Sequence, residues 1–369
     1  MLGELVESEC IKYGNFKLKS GEVSKYYFDM KGLVSYPSLL KKIGDEMYKK
    51  IGKECDLLCG VPIGGLPVCS YISTVYNIPM IMVRNESKGY GTNKQIEGKY
   101  EKKNKCIIIE DVITTGGSVN KVIELLKDKV EILGVIVIMD RQEGYKCEVP
   151  VNSIITKTDV VKYRLGELIK KKKSRLCFSG DVEKSEELIN MLDKIGDKIV
   201  ICKIHYDFYD DKDGSLKKRL IELSIEHEFL LMEDRKFVDI SHTVERQYSK
   251  YSKWVDMVTV MGNVHSEVIS KLSGAVLIAN MSNNSYNSTE TAIETSKIFP
   301  ERILGFVTQH RIGDSGFYNM TPGINITSSS VGDQNYRKKE DVDTDIIIVG
   351  RGIYNYDDYA EKAKCYSMI

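Results

Sequence analysis

Residues 228–243 read EFLLMEDRKFVDISHT. An apolar run of strand length, Glu228–Asp234, ends in two acids, and an arginine and a lysine follow. The two-residue period of a strand puts Asp234 and Lys236 on one face, with Asp239 just beyond. This run is one of eight in the second half of the chain. The others are Arg175–Val182 (RLCFSGDV), Lys198–Ile204 (KIVICKI), Val255–Met261 (VDMVTVM), Ala275–Asn280, Ile303–Thr308, Tyr318–Ile324 and Asp345–Gly352 (DIIIVGRG). Segments with helical apolar spacing and Lys/Glu-rich polar faces, such as Glu183–Lys194 and Leu216–Ser224, fill most of the gaps. That alternation predicts a parallel β/α fold, and eight units in about 200 residues predict a compact (β/α)8 TIM barrel. Barrel active sites sit at the C-terminal ends of the strands, which is where the acids and the lysine lie.

The first half is also α/β but of another kind. Strand-like runs at Leu57–Gly60, Met80–Arg84, Cys106–Asp111 and Gly134–Asp140 alternate with helical segments such as Tyr36–Ile51 and Gly117–Lys127, the pattern of an open, doubly wound parallel sheet. Its sharpest element is CIIIEDVITTGGS at 106–118, an apolar strand, two adjacent acids and a turn that opens a helix. Backbone N–H groups at the helix start, with the hydroxyls of Thr114, Thr115 and Ser118, suit a sugar 5-phosphate. Glu110 and Asp111 suit ribose hydroxyls, directly or through a magnesium shell. Residues 85–100 are charged, glycine-bearing and nearly free of core residues, as expected of a closing lid. The join falls near Lys157–Lys162 without a Gly/Ser/Pro linker, which divides the chain into domains 1–157 and 158–369.

Composition narrows the function. The 369 residues suit two or three domains, and 53 basic against 53 acidic side chains leave no charge excess to attract a nucleic acid. No run approaches a membrane span, and the start lacks a signal-peptide pattern, so a cytoplasmic protein with neither nucleic-acid nor membrane partner is expected. Nine cysteines, an odd count without a C-x-x-C pair, disfavour both disulfides and a zinc site, and they are expected to be buried or half-buried thiols. The basic run Lys170–Lys173 with Arg175 reads as a solvated helix face. YDFYDDKDG at 206–214 lacks the full register of a calcium loop, and Asp213 or Ser215 is expected to cap a helix there. The five histidines show no metal-binding spacing.

The segment 106–118 resembles the phosphoribosyl diphosphate (PRPP) loop of type I phosphoribosyltransferases. Its neighbours, FKLKSGEVSKYYFDMKG at 16–32, GVPIGGLPV at 60–68, VRNESKGYGTNKQIEG at 83–98 and MDRQEG at 139–144, resemble the motifs of the orotate phosphoribosyltransferase family in that family's order. The resemblance implies Lys19, Arg84 and the catalytic Lys88 at the diphosphate. It implies Tyr27, Phe28, Arg141 and Thr114 at orotate, and Glu110, Asp111, Thr114, Thr115, Gly116, Gly117 and Ser118 at the ribose 5-phosphate. It also implies Mg2+ accompanying PRPP. Two departures stand out: Asn85 replaces a basic residue usual after Arg84, and the half is short enough that the family's C-terminal strand and helix are expected to be trimmed or merged.

The second half resembles the orotidine 5′-monophosphate decarboxylase family from Ser174 to its end. Besides the opening segment it carries CFSGDV at 177–182, KIHYD at 203–207, ANMSNNS at 279–285, MTPGI at 320–324, GDQNYR at 332–337 and DIIIVGRGIY at 345–354. This resemblance implies Asp234 and Lys236 flanking the substrate carboxylate, and Asp239 and Thr243 reaching a partner subunit's site. Ser179, Asp181 and Lys203 are implied around the ribose, Ser282 and Pro322 at the pyrimidine, and Gln334, Tyr336, Gly350 and Arg351 at the phosphate. Lys236 would offset the negative charge left at pyrimidine C6 and donate the proton, without metal or cofactor. Gly180 stands where that family more often has alanine. In sequence order the two resemblances imply consecutive steps, orotate plus PRPP to orotidine monophosphate and then to UMP, in a homodimer. An active decarboxylase joined to a degenerate PRPP- or nucleotide-binding module is the alternative, and a ligand-binding scaffold without catalysis ranks below it.

Overall fold

The computed structural model describes residues 1–17, 23–84, 95–282, 286–324 and 343–368. Lys19, Lys88, Gln334 and Tyr336, and the departure at Asn85, lie outside the described residues. The chain divides into two compact units, Met1–Tyr13 with Tyr26–Lys157, and Gly14–Lys25 with Thr158–Ile369.

A two-stranded sheet of β1 (Ile11–Lys17) and β2 (Val23–Phe28) precedes a six-stranded sheet. The six are β3 (Leu57–Gly60), β4 (Met80–Val83), β5 (Ile96–Glu97), β6 (Lys105–Ile113), β7 (Glu131–Asp140) and β8 (Val151–Thr156), ordered β5-β4-β3-β6-β7-β8. All neighbours pair in parallel except β4 and β5. The central β3 and most of β6 are buried, which explains their near-continuous Leu/Ile/Cys reading. Three elements differ from the sequence reading. The sheet edge β5 falls inside the segment read as core-free, where Ile96 is buried against the core around Ile81 and Val83. β8, for which the sequence reading gave no strand, runs directly into the helix Lys157–Lys172. The two-stranded sheet of β1 and β2 escaped because glycine and lysine interrupt the alternation.

The second unit is a closed barrel of eight parallel strands. They are β9 (Leu176–Ser179), β10 (Ile201–Ile204), β11 (Leu230–Phe237), β12 (Met257–Met261), β13 (Ala275–Ile278), β14 (Ile303–Val307), β15 (Tyr318–Pro322) and β16 (Ile346–Val349). Seven lie within the runs read from the sequence, and β11 overruns its run, Glu228–Asp234, by three residues. The segment 14–25 belongs to this unit: the buried ammonium of Lys25 pairs with Asp256, whose Oδ2 also accepts the Leu231 N–H at 2.7 Å. At Gly180 an added methyl would fall 2.5 Å from Leu188 Cδ1, so alanine fits only if that flexible side chain shifts.

Two local readings need correction. Leu216 and Lys217 N–H groups are taken by the Asp211 carboxylate at 3.1 and 2.9 Å, so Asp211 caps the helix Ser215–Glu226 there, while Asp213 accepts the Ser215 N–H at 3.0 Å. In the basic run, Lys172 is not a solvated charge. Its Nζ donates to the carbonyls of Gly196, Ile199 and His227 at 2.8, 2.7 and 2.6 Å, and burial pushes its pKa down to about 8. Cys365 is the exposed exception among the nine thiols.

Replacing Lys172 by methionine orphans three carbonyls and should lower stability by about 1–3 kcal/mol, read as a lower urea midpoint. Because the folded pKa lies below the ordinary 10.5, wild-type stability should also rise between about pH 8 and 10.5, a slope the methionine variant lacks.

Candidate active sites

In the first unit the strand ends of β3 and β6 meet. The loop after β3 passes so close to β6 that a Cβ on Gly64 would sit 2.0 Å from Asp111 Oδ2, and one on Gly65 would sit 2.2 Å from the Ile109 carbonyl. Glycine is therefore required for GVPIGG to approach the acids. Glu110 is buried, and its Oε1 accepts the Asp111 N–H at 2.9 Å. Burial, a side-chain hydrogen bond with the Asp111 carboxyl and that neighbour's charge push the Glu110 carboxyl up to about 9, against the Asp111 N–H and the Lys31 charge, which favour the ionised form. Lys31, given no role from sequence, places its Nζ 3.2 Å from Asp111 Oδ2. Beyond them Thr114 to Gly116 turn into the helix Gly117–Leu126, with Gly116 at φ +81° and no side-chain cap on the helix start. Thr115, Gly117 and Ser118 are exposed, so this N-terminus presents uncapped N–H groups and hydroxyls together.

Arg141, after β7, stacks its guanidinium over the Phe28 ring at 5.7 Å and pairs with Glu143 at 2.6 Å. Its Nε is buried without a hydrogen-bond partner among the described residues, and Tyr27 is exposed nearby in sequence. Arg84 grips Glu97 Oε1 with Nε and Nη2 at 2.9 and 2.7 Å.

In the barrel a cavity of about 300 Å3 opens at the C-terminal strand ends. Ser179, Asp181, Lys203, Asp234, Lys236, Ser282, Pro322, Gly350 and Arg351 line it, all chosen from sequence. Asp239 and Thr243 are not among the lining residues, and Asp239 is exposed, its Oδ1 accepting the Ile240 N–H.

Asp234 centres the cavity's charge network. Its Oδ2 pairs with the buried Lys203 ammonium and with Lys236 Nζ at 2.8 Å, and its Oδ1 accepts the Thr259 hydroxyl at 2.8 Å. Burial alone would raise its pKa, but Lys203, His205 and Lys236 override that and hold the carboxyl well below the ordinary range. Reciprocally, burial would lower Lys203, yet Asp234 and Asp181 keep its pKa above the usual lysine value. At Lys236 the chain leaves strand geometry with φ +51°, rare for a lysine, and the Lys236 N–H is held by Thr259 Oγ1 at 3.0 Å. Ser179 Oγ donates to Asp181 Oδ2 at 2.7 Å. The sequence reading missed Thr259 and His205. Thr259 was a polar residue inside the apolar run VDMVTVM, and His205 stood two residues after Lys203, hence on the same strand face.

Comparison with known proteins agrees with both geometries. Residues 174–366 match the orotidine 5′-phosphate decarboxylase / HUMPS family, and residues 33–163 match the phosphoribosyl transferase domain. The uridine 5′-monophosphate synthase of Bos taurus is 30% identical over 99% of this chain and 96% of its own length. The chain belongs to the uridine 5′-monophosphate synthase family. Each half also has single-function relatives. The orotidine 5′-phosphate decarboxylase of Komagataella pastoris is 37% identical over 52% of this chain and 83% of its own length. The orotate phosphoribosyltransferase of Pyrococcus abyssi is 38% identical over 38% of this chain and 79% of its own length. As a member of the synthase family the chain is a bifunctional enzyme of pyrimidine biosynthesis, with orotate phosphoribosyltransferase and orotidine monophosphate decarboxylase activities. Among the described residues no helix is long and apolar enough to cross a membrane.

The raised pKa of Glu110 gives its implied contact with ribose a measurable sign. If ribose hydroxyls donate to this carboxyl they favour its ionised form, and PRPP with Mg2+ then expels up to about one proton per site near neutral pH. Calorimetry in two buffers of different ionisation enthalpy measures that release, and Glu110→Gln should abolish it.

Proposed function

We propose that residues 1–157 carry the transferase step and residues 158–369 the decarboxylation, within a cytoplasmic homodimer. The observation that carries the second assignment is the Asp234 carboxylate, held ionised between Lys203 and Lys236 in the barrel-mouth cavity.

In the transferase half, the Thr114–Ser118 turn receives the 5-phosphate on the uncapped helix start, and Glu110 and Asp111 take the ribose hydroxyls. Arg141, packed on Phe28 beside Tyr27, grips the orotate carboxylate. Its Nε, buried without a partner among the described residues, supports this role. Lys19, Arg84 and Lys88 neutralise the departing diphosphate. The paired carboxylates are hard oxygen donors and fit Mg2+, which Glu110 and Asp111 would hold through PRPP hydroxyls or water. When bound, the ion adds positive charge at the leaving diphosphate.

In the decarboxylase half, Ser179, Asp181 and Lys203 hold the ribose, Ser282 and Pro322 the pyrimidine, and Gln334, Tyr336, Gly350 and Arg351 the phosphate. The position of Gly350 and Arg351 directly after the last barrel strand supports this, since phosphates favour that corner of such folds. Asp234 holds the lysine network, and Lys236 offers its ammonium to the charge that develops at C6 and then transfers a proton there. The placement of Asp239 and Thr243 away from their own cavity supports the proposal that they complete the partner's site.

Incubating the protein with orotate, PRPP and Mg2+ tests both halves when UMP and orotidine monophosphate are quantified separately. UMP should accumulate without added enzyme. Lys236→Ala should cut UMP formation by roughly 10²–10⁴-fold while orotidine monophosphate builds up. UMP formation at the wild-type rate by that variant would overturn the decarboxylase assignment, and no pyrimidine nucleotide from orotate would overturn the transferase one.

A further inference from the structure

Glu233 precedes Asp234 on β11, is fully buried and does not line the cavity. Its Oε2 accepts the Tyr206 N–H at 3.1 Å, and its Oε1 is buried with no hydrogen-bond partner among the described residues. Tyr206 follows His205, whose ring closes back on the charge network. His205 Nε2 lies 3.4 Å from both Lys236 Nζ and Asp234 Oδ2, and its ring stacks on Phe208 at 4.7 Å.

We propose that Glu233 is a positioning residue for decarboxylation, a buried acid that latches the turn 205–208 through the Tyr206 N–H and so keeps the His205 ring against Lys236 and Asp234. The inference rests on the assignment of Asp234 and Lys236 to the decarboxylase site.

The groups facing Glu233 explain why it is neutral. From its own strand come Asp234 and Arg235, from the turn after β10 come His205 and Asp207, and from the segment after the helix Ser241–Tyr248 comes Tyr251. Arg235 offers little compensation, because its Nε lies 3.6 Å from Asp207 Oδ2 and is shared with that carboxylate. Burial first, then the charges of Asp207 and Asp234, push the Glu233 carboxyl up to about 8 against the Tyr206 N–H and Arg235. Above that pH the side chain becomes a buried anion: the charge strengthens its bond from the Tyr206 N–H, but burial and the two neighbouring carboxylates together cost more, and the turn that carries His205 opens to hydrate it. The sign follows from a folded pKa raised above the ordinary 4.5. Any stability this group contributes is complete at low pH and lost as the pH climbs towards about 8, and activity falls through the same upper value.

The test supplies orotidine monophosphate to the full chain and follows kcat and KM from about pH 6 to about 10. Wild type should show an alkaline fall in kcat centred near the Glu233 value. Glu233→Gln, neutral at every pH and still offering an acceptor to Tyr206, should keep neutral-pH kcat within about 3-fold and lose that limb. Glu233→Ala, without the acceptor, should lose roughly 10-fold or more in kcat with little change in KM. An unchanged limb in the glutamine variant overturns the proposal. Should the variants not fold, amide exchange of residues 205–208 in wild type decides: corrected for the intrinsic rate, it should accelerate above about pH 8, and a flat profile is equally fatal. A dead Lys236→Ala beside an unchanged limb rejects only the role of Glu233, whereas a fully active Lys236→Ala rejects the site itself.

Discussion

The decarboxylase half depends on one buried charge, the Asp234 carboxylate. Taking a carboxylate out of water costs several kcal/mol even after relaxation, and only close partners offset it. Asp234 has two ammonium groups, a hydroxyl and an imidazole within reach. Each partner comes from a different strand end or turn: Lys203 and His205 from β10 and the turn after it, Lys236 from β11, Thr259 from β12. The carboxylate therefore ties three adjacent strands at the mouth of the barrel, and losing any partner would leave charge or a donor unmatched in a dry place. The ion cluster fixes the register of the strand ends as well as the electrostatics of the cavity.

The same dipeptide, Glu-Asp at the end of a parallel strand, occurs in both halves, as Glu110–Asp111 and Glu233–Asp234. Strand alternation sends neighbouring side chains to opposite faces, so in each pair the two acids meet different surroundings. Both glutamates are buried with few cations and are pushed up towards or above neutrality, whereas Asp234 is surrounded by cations and stays ionised. Adjacent acids at one strand end, Glu233 and Asp234, thus adopt opposite charge states, decided by neighbours from other strands. A motif can announce that acids stand at a strand end, but only the fold says which of them carries charge.

That limit describes what the sequence showed and what it withheld. All eight barrel strands were readable because each is buried on both faces and therefore nearly unbroken in its apolar character, as in DIIIVG and LLMED. Nine of the residues that line the cavity were also readable, because strand ends keep their order along the chain. The edge strand β5 was not, being two residues long inside a polar stretch. Lys172 was misread because its three carbonyl partners lie 24, 27 and 55 positions away, and nothing in a run of four lysines distinguishes the one that is buried. Thr259 and His205 were quoted in their motifs without a role, since neither has a chemical signature apart from the acid and the lysine it contacts.

Lys236 shows how that network bears on rate. A lysine at φ +51° is in a conformation that costs L-residues roughly 1–2 kcal/mol, and it persists only where surrounding contacts over-determine it. Here the backbone N–H is fixed by Thr259 and the ammonium by Asp234, so both ends of the residue are held before substrate arrives. A regular strand would send residue 236 along the pleat. The break in register of β11 against β12 between Glu233 and Phe237 instead leaves its Nζ at the cavity wall, within 2.8 Å of the carboxylate. Charge that forms at a substrate carbon then meets a cation already in place, and no solvent or side chain has to reorganise during the step, which is the condition under which electrostatic stabilisation is largest.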